Sequence, residues 1–170
     1  IDINHALEPD PPADGKPVTK TNALLLAVES GHFETAARLI DAGADPNGHP
    51  AGYTALHALT WVRKPIRGDG DPSPIGSGDM TSLDLVRYLE SHGADVNARL
   101  AHGTSGRGRF TTTGSTPFLL AARASDVPLM KLLLELGTDP QLPNADHATP
   151  LLAATGVGAL GDGDDTAGTD

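Results

Sequence analysis

The stretch that decides the fold runs from Thr116 to Gln141 and reads TPFLLAARASDVPLMKLLLELGTDPQ. It opens with threonine, whose hydroxyl can cap a helix, and with proline, which is tolerated at the first helical position. Leu-rich segments such as residues 129–134 are apolar almost all round and must be covered by neighbouring elements. Gly137 follows the second apolar run, where a left-handed residue typically ends a helix. The stretch therefore predicts two short helices joined by a turn.

The same pattern recurs along the chain, and its copies begin at Asn22, Thr54, Thr116 and Thr149. The first three copies end in Gly-Ala-Asp-Pro-Asn47, Gly-Ala-Asp-Val-Asn97 and Gly-Thr-Asp-Pro-Gln141. Residues 2–4, Asp-Ile-Asn, match the end of a preceding copy. Thr116 and Thr149 lie 33 residues apart, and this is the period of the ankyrin repeat. With these openings, endings and spacings, the chain resembles the ankyrin-repeat family over nearly its whole length.

The resemblance implies an all-α solenoid of stacked helix-turn-helix units, with finger loops that project as β-hairpins. The long fingers and an insertion between two helices resemble those of bacterial-type arrays. First helices are predicted near residues 23–30, 55–62, 117–124 and 150–155, and second helices near 34–42, 82–92 and 127–136. Among the apolar positions, Leu39, Leu132 and Leu133 are expected to be buried between repeats, because a single repeat cannot bury its own apolar face.

One domain is expected over residues 1–170, and its two ends resemble cuts through a longer array. Its predicted parts are a repeat tail with a Pro-rich finger (1–21), a repeat (22–53), a repeat with the inter-helix insertion 63–80 and the long finger 98–113 (54–115), a repeat (116–148), and a partial repeat with a Gly/Asp-rich insertion (149–170). Loops of more than about 12–15 residues are usually functional or disordered. The insertion is therefore either a binding loop or a tolerated surface loop.

Composition narrows the class of function. The 170 residues include no cysteine, which excludes thiolate metal sites and cysteine nucleophiles, and the net charge of −10 disfavours nucleic acid and anionic membranes. No cofactor is expected, and no compartment or oligomeric state is indicated. Three histidines fall in fingers, but their neighbours do not match a metal site; they are His49, His102 and His147. No complete calcium-loop pattern is present either. We also find no Ser/His/Asp constellation, so no enzymatic activity is expected.

Four residues are assigned to the repeat motif: Thr54, His57, Thr116 and Thr149. The resemblance implies that His57 supports hydrogen bonding between repeats, and a lone histidine without partners is rarely catalytic. Two aromatic residues leave alternatives open. Trp61 either anchors the insertion against the solenoid or faces a partner, and Tyr53 either binds a partner or packs between fingers.

The finger 98–113 contains three arginines and no acidic residue, which is a local exception in an acidic chain. Our hypothesis is that this finger and the insertion contact another protein with an acidic surface. The candidate residues are Tyr53, Arg63, Lys64, Arg67, Arg99, Arg107, Arg109 and Phe110. In the competing explanation, the arginines pair with acidic groups of the chain and fix the loops. The expected function is a non-catalytic protein-binding scaffold, and the alternative is a regulatory or spacer segment of a larger multidomain enzyme.

Overall fold

The computed structural model describes residues 2–7, 20–63, 78–103 and 111–156. Within these ranges the helices are α1 (Ala23–Glu29), α2 (Phe33–Asp41), α3 (Ala55–Arg63), α4 (Ser82–Ser91), α5 (Pro117–Arg123), α6 (Val127–Glu135) and α7 (Pro150–Ala154). Each helix begins and ends within one residue of its predicted span, so the predicted all-α repeat architecture is confirmed. No helix in the described part of the chain is both long and apolar enough to cross a membrane.

Most of the described helices begin after a polar side chain that accepts a hydrogen bond from a free backbone N–H, whereas α2 begins after His32 without such a bond. The hydroxyls of Thr116 and Thr149 each accept a hydrogen bond from the backbone N–H three residues later. Asn22 does the same for α1 with its side-chain carbonyl. Thr81 and Asp84 form a reciprocal capping box at the start of α4. These local bonds explain why the sequence pattern placed the helix starts correctly.

Glycines after the second helices allow the chain to reverse direction. Gly43, Gly93 and Gly137 have φ angles of +98°, +90° and +86°, and a Cβ added at any of them would meet no atom within 4 Å. Space is therefore not the constraint at these positions. The left-handed backbone conformation is the reason for glycine, since it strains residues that carry a Cβ.

The helices stack in two rows. In the inner row α1 packs against α3, α3 against α5 and α5 against α7, and in the outer row α2 packs against α4. The core between the rows is mainly leucine and alanine, and Leu132 and Leu133 are buried in it at 3% and 0% exposure. Leu39 is only half-buried, which is less than predicted, although it packs against the same core.

A ladder of asparagine side chains joins successive repeats. Asn47 donates from its side-chain amide to the carbonyl of Gly93 at 2.8 Å and accepts from the N–H of Asp95 at 2.7 Å. Equivalent bonds join Asn4 to Gly43 and Asp45, and Asn97 to Asp139. Each asparagine closing one repeat therefore fixes the turn that closes the next, and residues 2–4 are fixed to the first full repeat in the same way.

Candidate functional site

The finger loops lie side by side along one edge of the helical stack. The N–H of Ala101 donates to the carbonyl of Gly52 at 2.8 Å, which joins the first finger (47–53) to the second (98–113). The N–H of Ala145 donates to the carbonyl of Thr113 at 3.0 Å, which joins the second finger to the third (141–148). Backbone hydrogen bonds thus connect the described parts of the three fingers along one edge.

Part of the predicted contact set lies outside the described residues, namely Lys64, Arg67, Arg107, Arg109 and Phe110. The described members are Tyr53, Arg63 and Arg99. All three form contacts within the chain, so the two explanations that the sequence left open can be compared for each.

Arg99 belongs to the second finger and connects it to the third. Its Nη1 donates to the carbonyl of Gly114 at 2.8 Å and also to the carbonyl of Pro143. A single guanidinium nitrogen therefore bonds both to Gly114, at the end of its own finger, and to Pro143 of the third finger. Although the residue is exposed, this bonding favours the explanation in which Arg99 fixes the loops.

Arg63 is the last residue of α3, and its side chain binds inside the stack. Its Nε and Nη2 lie 2.7 and 3.0 Å from the two carboxylate oxygens of Asp126, and its Nη1 donates to the hydroxyl of Ser82 at 2.5 Å. Asp126 is 1% exposed and also caps α6 by accepting from the N–H of Leu129. The guanidinium thus ties together the ends of three helices, which favours internal pairing over partner contact.

His57 is buried and connects its own repeat to the next. Its Nδ1 accepts from the N–H of Thr54 at 3.2 Å and contacts the Thr54 hydroxyl at 2.9 Å, while its Nε2 lies 3.1 Å from the carbonyl of Ser115. The neutral ring with its proton on Nε2 satisfies all of these groups. Burial lowers the pKa of His57 to about 4, although the hydrogen bond to Ser115 opposes this shift.

Stability should therefore depend on pH through His57. Above its ordinary pKa of 6.5 the ring is neutral in both states, whereas between 6.5 and about 4 only the unfolded chain takes up the proton. The free energy of unfolding should fall by about 2 kcal/mol between pH 7 and pH 5, and by about 3 kcal/mol over the whole window, since one pKa unit corresponds to about 1.4 kcal/mol. Urea unfolding of the wild type and of His57→Gln measures this, and the variant should lose most of the slope.

Tyr53 and Trp61 meet where the first finger joins the first helices. Their ring centroids are 5.0 Å apart with an interplanar angle of 81°. The Tyr53 hydroxyl donates to Glu29 Oε1 at 2.5 Å, and burial, followed by this carboxylate, raises the pKa of Tyr53. Both rings are half-buried, so they pack against the stack and still present part of their surface to solvent. No sequence pattern indicated that Glu29 belongs to this group.

The finger histidines do not gather into a metal site. His49, His102 and His147 are each exposed, and no group of three or more histidine, aspartate or glutamate side chains in the described part of the chain could hold a metal ion. His147 has a φ angle of +60° at a position that glycine occupies two residues before Thr54 and Thr116. His147 therefore adopts, in its own finger, the left-handed conformation that Gly52 and Gly114 adopt at the equivalent positions of the other two fingers.

Comparison with known families agrees with this geometry. The family described as "Ankyrin repeat" matches residues 20–48 and 113–145. These two segments contain α1 with α2, and α5 with α6, so each match includes one complete helix pair.

Several curated proteins are similar to this chain. The mouse "Ankyrin repeat and SOCS box protein 6" is 30% identical over 137 residues, which cover 79% of this chain and 26% of that protein. The "NF-kappa-B inhibitor cactus" of Drosophila yakuba is 32% identical over 106 residues, covering 59% and 20%. The "Ankyrin repeat protein B19" of Vaccinia virus is 28% identical over 159 residues, covering 89% and 25%. The chain thus spans about a quarter of the length of these relatives.

Proposed function

Because this chain belongs to the ankyrin-repeat family, we propose that it is a non-catalytic scaffold that binds a partner protein through its finger loops and concave face. Ankyrin repeats generally mediate protein–protein interaction. The observation that carries the proposal is the continuous finger edge, in which Ala101 bonds to Gly52 and Ala145 to Thr113. Loops held together by backbone bonds keep their arrangement before binding, and such preorganisation reduces the ordering cost of association.

The long finger supplies the charge for this contact. Its Arg107 and Arg109, with Phe110 beside them, stand in a finger that has no acidic residue on a chain of net charge −10. We propose that these residues, together with Lys64 and Arg67 of the insertion, contact an acidic surface of the partner, because charge complementarity speeds association and sets specificity. Arg99 and Arg63 then hold the bases of the same two loops. The likeness to bacterial-type arrays is part of this proposal, since it rests on the same two loops.

The test is a double charge reversal in the finger. A partner is first identified by affinity capture and purified, and its binding to the chain is measured by calorimetry. Arg107→Glu with Arg109→Glu should weaken binding by at least about tenfold and make it less sensitive to salt. The melting temperature should stay within about 2 °C, as it does for most surface changes.

A matched control separates the finger from general charge effects. Arg38→Glu with Lys131→Glu changes the net charge equally at exposed positions of α2 and α6, in the outer row. This control should leave the affinity within about twofold. Equal weakening by both pairs would contradict a finger contact. So would a large loss of stability in the finger variant with binding intact.

A second candidate is a regulatory or spacer segment of a larger multidomain enzyme. The matched segments make up 20–26% of the length of the relatives, so arrays similar to this one occur within longer proteins. The full-length reading frame distinguishes the two candidates, since a catalytic domain beside the array would support the second.

A further inference from the structure

We propose that Glu29, Tyr53 and Trp61 form a binding corner for the cationic side chain of an arginine or lysine on the partner protein. These three residues are called the aromatic corner below. The inference rests on the proposed function, because Tyr53 belongs to the first finger and the corner would contact the same partner. The aromatic corner differs chemically from the long finger, because the corner consists of aromatic and acidic residues whereas the finger carries arginines.

The geometry of the corner suits a cation. In a perpendicular ring pair, the ring that points its edge at its neighbour keeps both of its faces uncovered by that neighbour, and Tyr53 and Trp61 meet at 81°. Both are only half-buried. The negative faces of tyrosine and tryptophan attract arginine and lysine side chains. Glu29 Oε1, bonded to the Tyr53 hydroxyl at 2.5 Å, places a carboxylate at the hydroxyl end of the tyrosine ring.

The carboxylate of Glu29 has no cationic partner of its own among the described residues. Within the described part of the chain, Arg63 pairs with Asp126 and Arg87 pairs with Glu135, so these two ion pairs do not involve Glu29. Among the described residues, the hydrogen bond to the Glu29 side chain comes from Tyr53 and uses Oε1. Its Oε2 therefore keeps acceptor capacity for a guanidinium or ammonium group. Half-burial beside Tyr53 also strengthens the attraction of this carboxylate for a cation relative to a fully solvated carboxylate.

An exposed leucine completes the surface. Leu26 lies one helical turn before Glu29 on α1 and is 42% exposed. Residues three apart on a helix lie on neighbouring positions of one face, so Leu26 is adjacent to the carboxylate. The aliphatic stem of an arginine or lysine can cover such an apolar residue while its charged end reaches the corner.

The outer row contains a comparable arrangement built entirely from the chain itself. The Tyr88 hydroxyl donates to Asp41 Oδ1, as Tyr53 does to Glu29. The His92 ring stacks on Tyr88 with centroids 4.3 Å apart, and its Nε2 lies 4.0 Å from Asp41 Oδ1. Here the carboxylate of Asp41 is bonded to Tyr88, and the imidazole ring of His92 stacks on that tyrosine. At the aromatic corner, the partner would supply the corresponding basic group.

The test uses Trp61 as its own reporter, because it is the single tryptophan of the chain. Two capped pentapeptides, Gly-Gly-Arg-Gly-Gly and the same peptide with citrulline, are titrated against the whole chain while tryptophan fluorescence is recorded. Citrulline keeps the size of arginine and removes its charge. The arginine peptide should give a saturable change with a dissociation constant at least about tenfold lower than that of the citrulline peptide.

Two variants test whether the arginine peptide binds at Glu29. Glu29→Gln keeps an oxygen that accepts from Tyr53 and removes the charge, so it should weaken arginine binding about tenfold, to the level of citrulline. Asp41→Asn removes the same charge from the tyrosine-bound carboxylate of the outer row and should leave affinity within about twofold. Circular dichroism and unfolding curves confirm that each variant is folded.

Several results would overturn the corner. These are equal responses to the two peptides, an unchanged affinity in Glu29→Gln, or equal losses in Glu29→Gln and Asp41→Asn. If the peptides fail while a purified partner still binds through the finger, the corner alone is wrong. If the arginine peptide binds as expected and a purified partner keeps its affinity for the variant with Arg107→Glu and Arg109→Glu, the corner stands and the proposed finger contact fails.

Discussion

Replacing Arg63 with alanine is expected to lower the free energy of unfolding by about 3–5 kcal/mol, the usual cost of removing one partner from a buried ion pair. Asp126 is 1% exposed, and both of its oxygens accept from the Arg63 guanidinium, at 2.7 and 3.0 Å. Without the arginine, a nearly inaccessible carboxylate would keep only its cap of the Leu129 N–H. The hydroxyl of Ser82 would lose its guanidinium donor as well.

The experiment is urea unfolding of a double-mutant cycle. Asp126→Ser removes the charge and retains an N-cap oxygen, so Arg63→Ala combined with Asp126→Ser should cost less than the two single changes added together. Arg87→Ala is the matched control, because its pair with Glu135 is 57% and 61% exposed and should contribute only about 0–1 kcal/mol. A loss of less than about 1 kcal/mol for Arg63→Ala would mean that the pair behaves as a surface contact.

The ion pair also bears on the insertion between α3 and α4. At the first residue of the insertion, Arg63 pairs with Asp126, and near its other end the N–H of Asp79 donates to Glu34 Oε1 at 2.9 Å. A Cβ on Gly78 would lie 2.3 Å from the carboxyl carbon of Glu34, so the chain approaches α2 closely there. Acidic side chains from two other helices therefore fix both ends of the loop, and the loop begins and ends at defined places on the stack.

The sequence predicted the helices well because their signals are local. Thr116 lies next to the helix that it caps, and Gly137 lies next to the helix end that it allows. The recurring spacing then determined how the helix pairs follow one another, since stacked repeats contact mainly their neighbours. Leu39 was predicted less well, because its exposure depends on the residues that the adjacent repeat places over it.

The candidate site could be predicted only in part, because its contacts join residues that lie far apart in the chain. Arg63 and Asp126 are separated by 63 positions, and Tyr53 and Glu29 by 24. An arginine beside a long insertion has the same sequence context whether it binds a partner or a buried carboxylate. The sequence therefore identified Tyr53 as a notable residue, but only the stacking of the repeats identified Glu29 as its neighbour.

Leu133→Ala is expected to cost about 2–5 kcal/mol of unfolding free energy, the range for truncating a fully buried leucine. Leu133 is 0% exposed and lies on α6 within the core shared with the preceding repeat. Truncation removes apolar contacts and leaves a cavity that the short helices can fill only by shifting against one another. Because each repeat is stabilised by its neighbours, the loss should appear as a lower midpoint of the whole urea transition.

The next residue provides the control. Leu134 is 47% exposed on the same helix, so Leu134→Ala should cost less than about 1 kcal/mol. The two substitutions remove the same atoms from adjacent positions, and alanine favours the helix slightly in both. Their difference therefore measures burial alone. A cost below about 0.5 kcal/mol for Leu133→Ala, or equal costs for the two variants, would mean that α6 presents a different face to the core and that the repeat register is wrong.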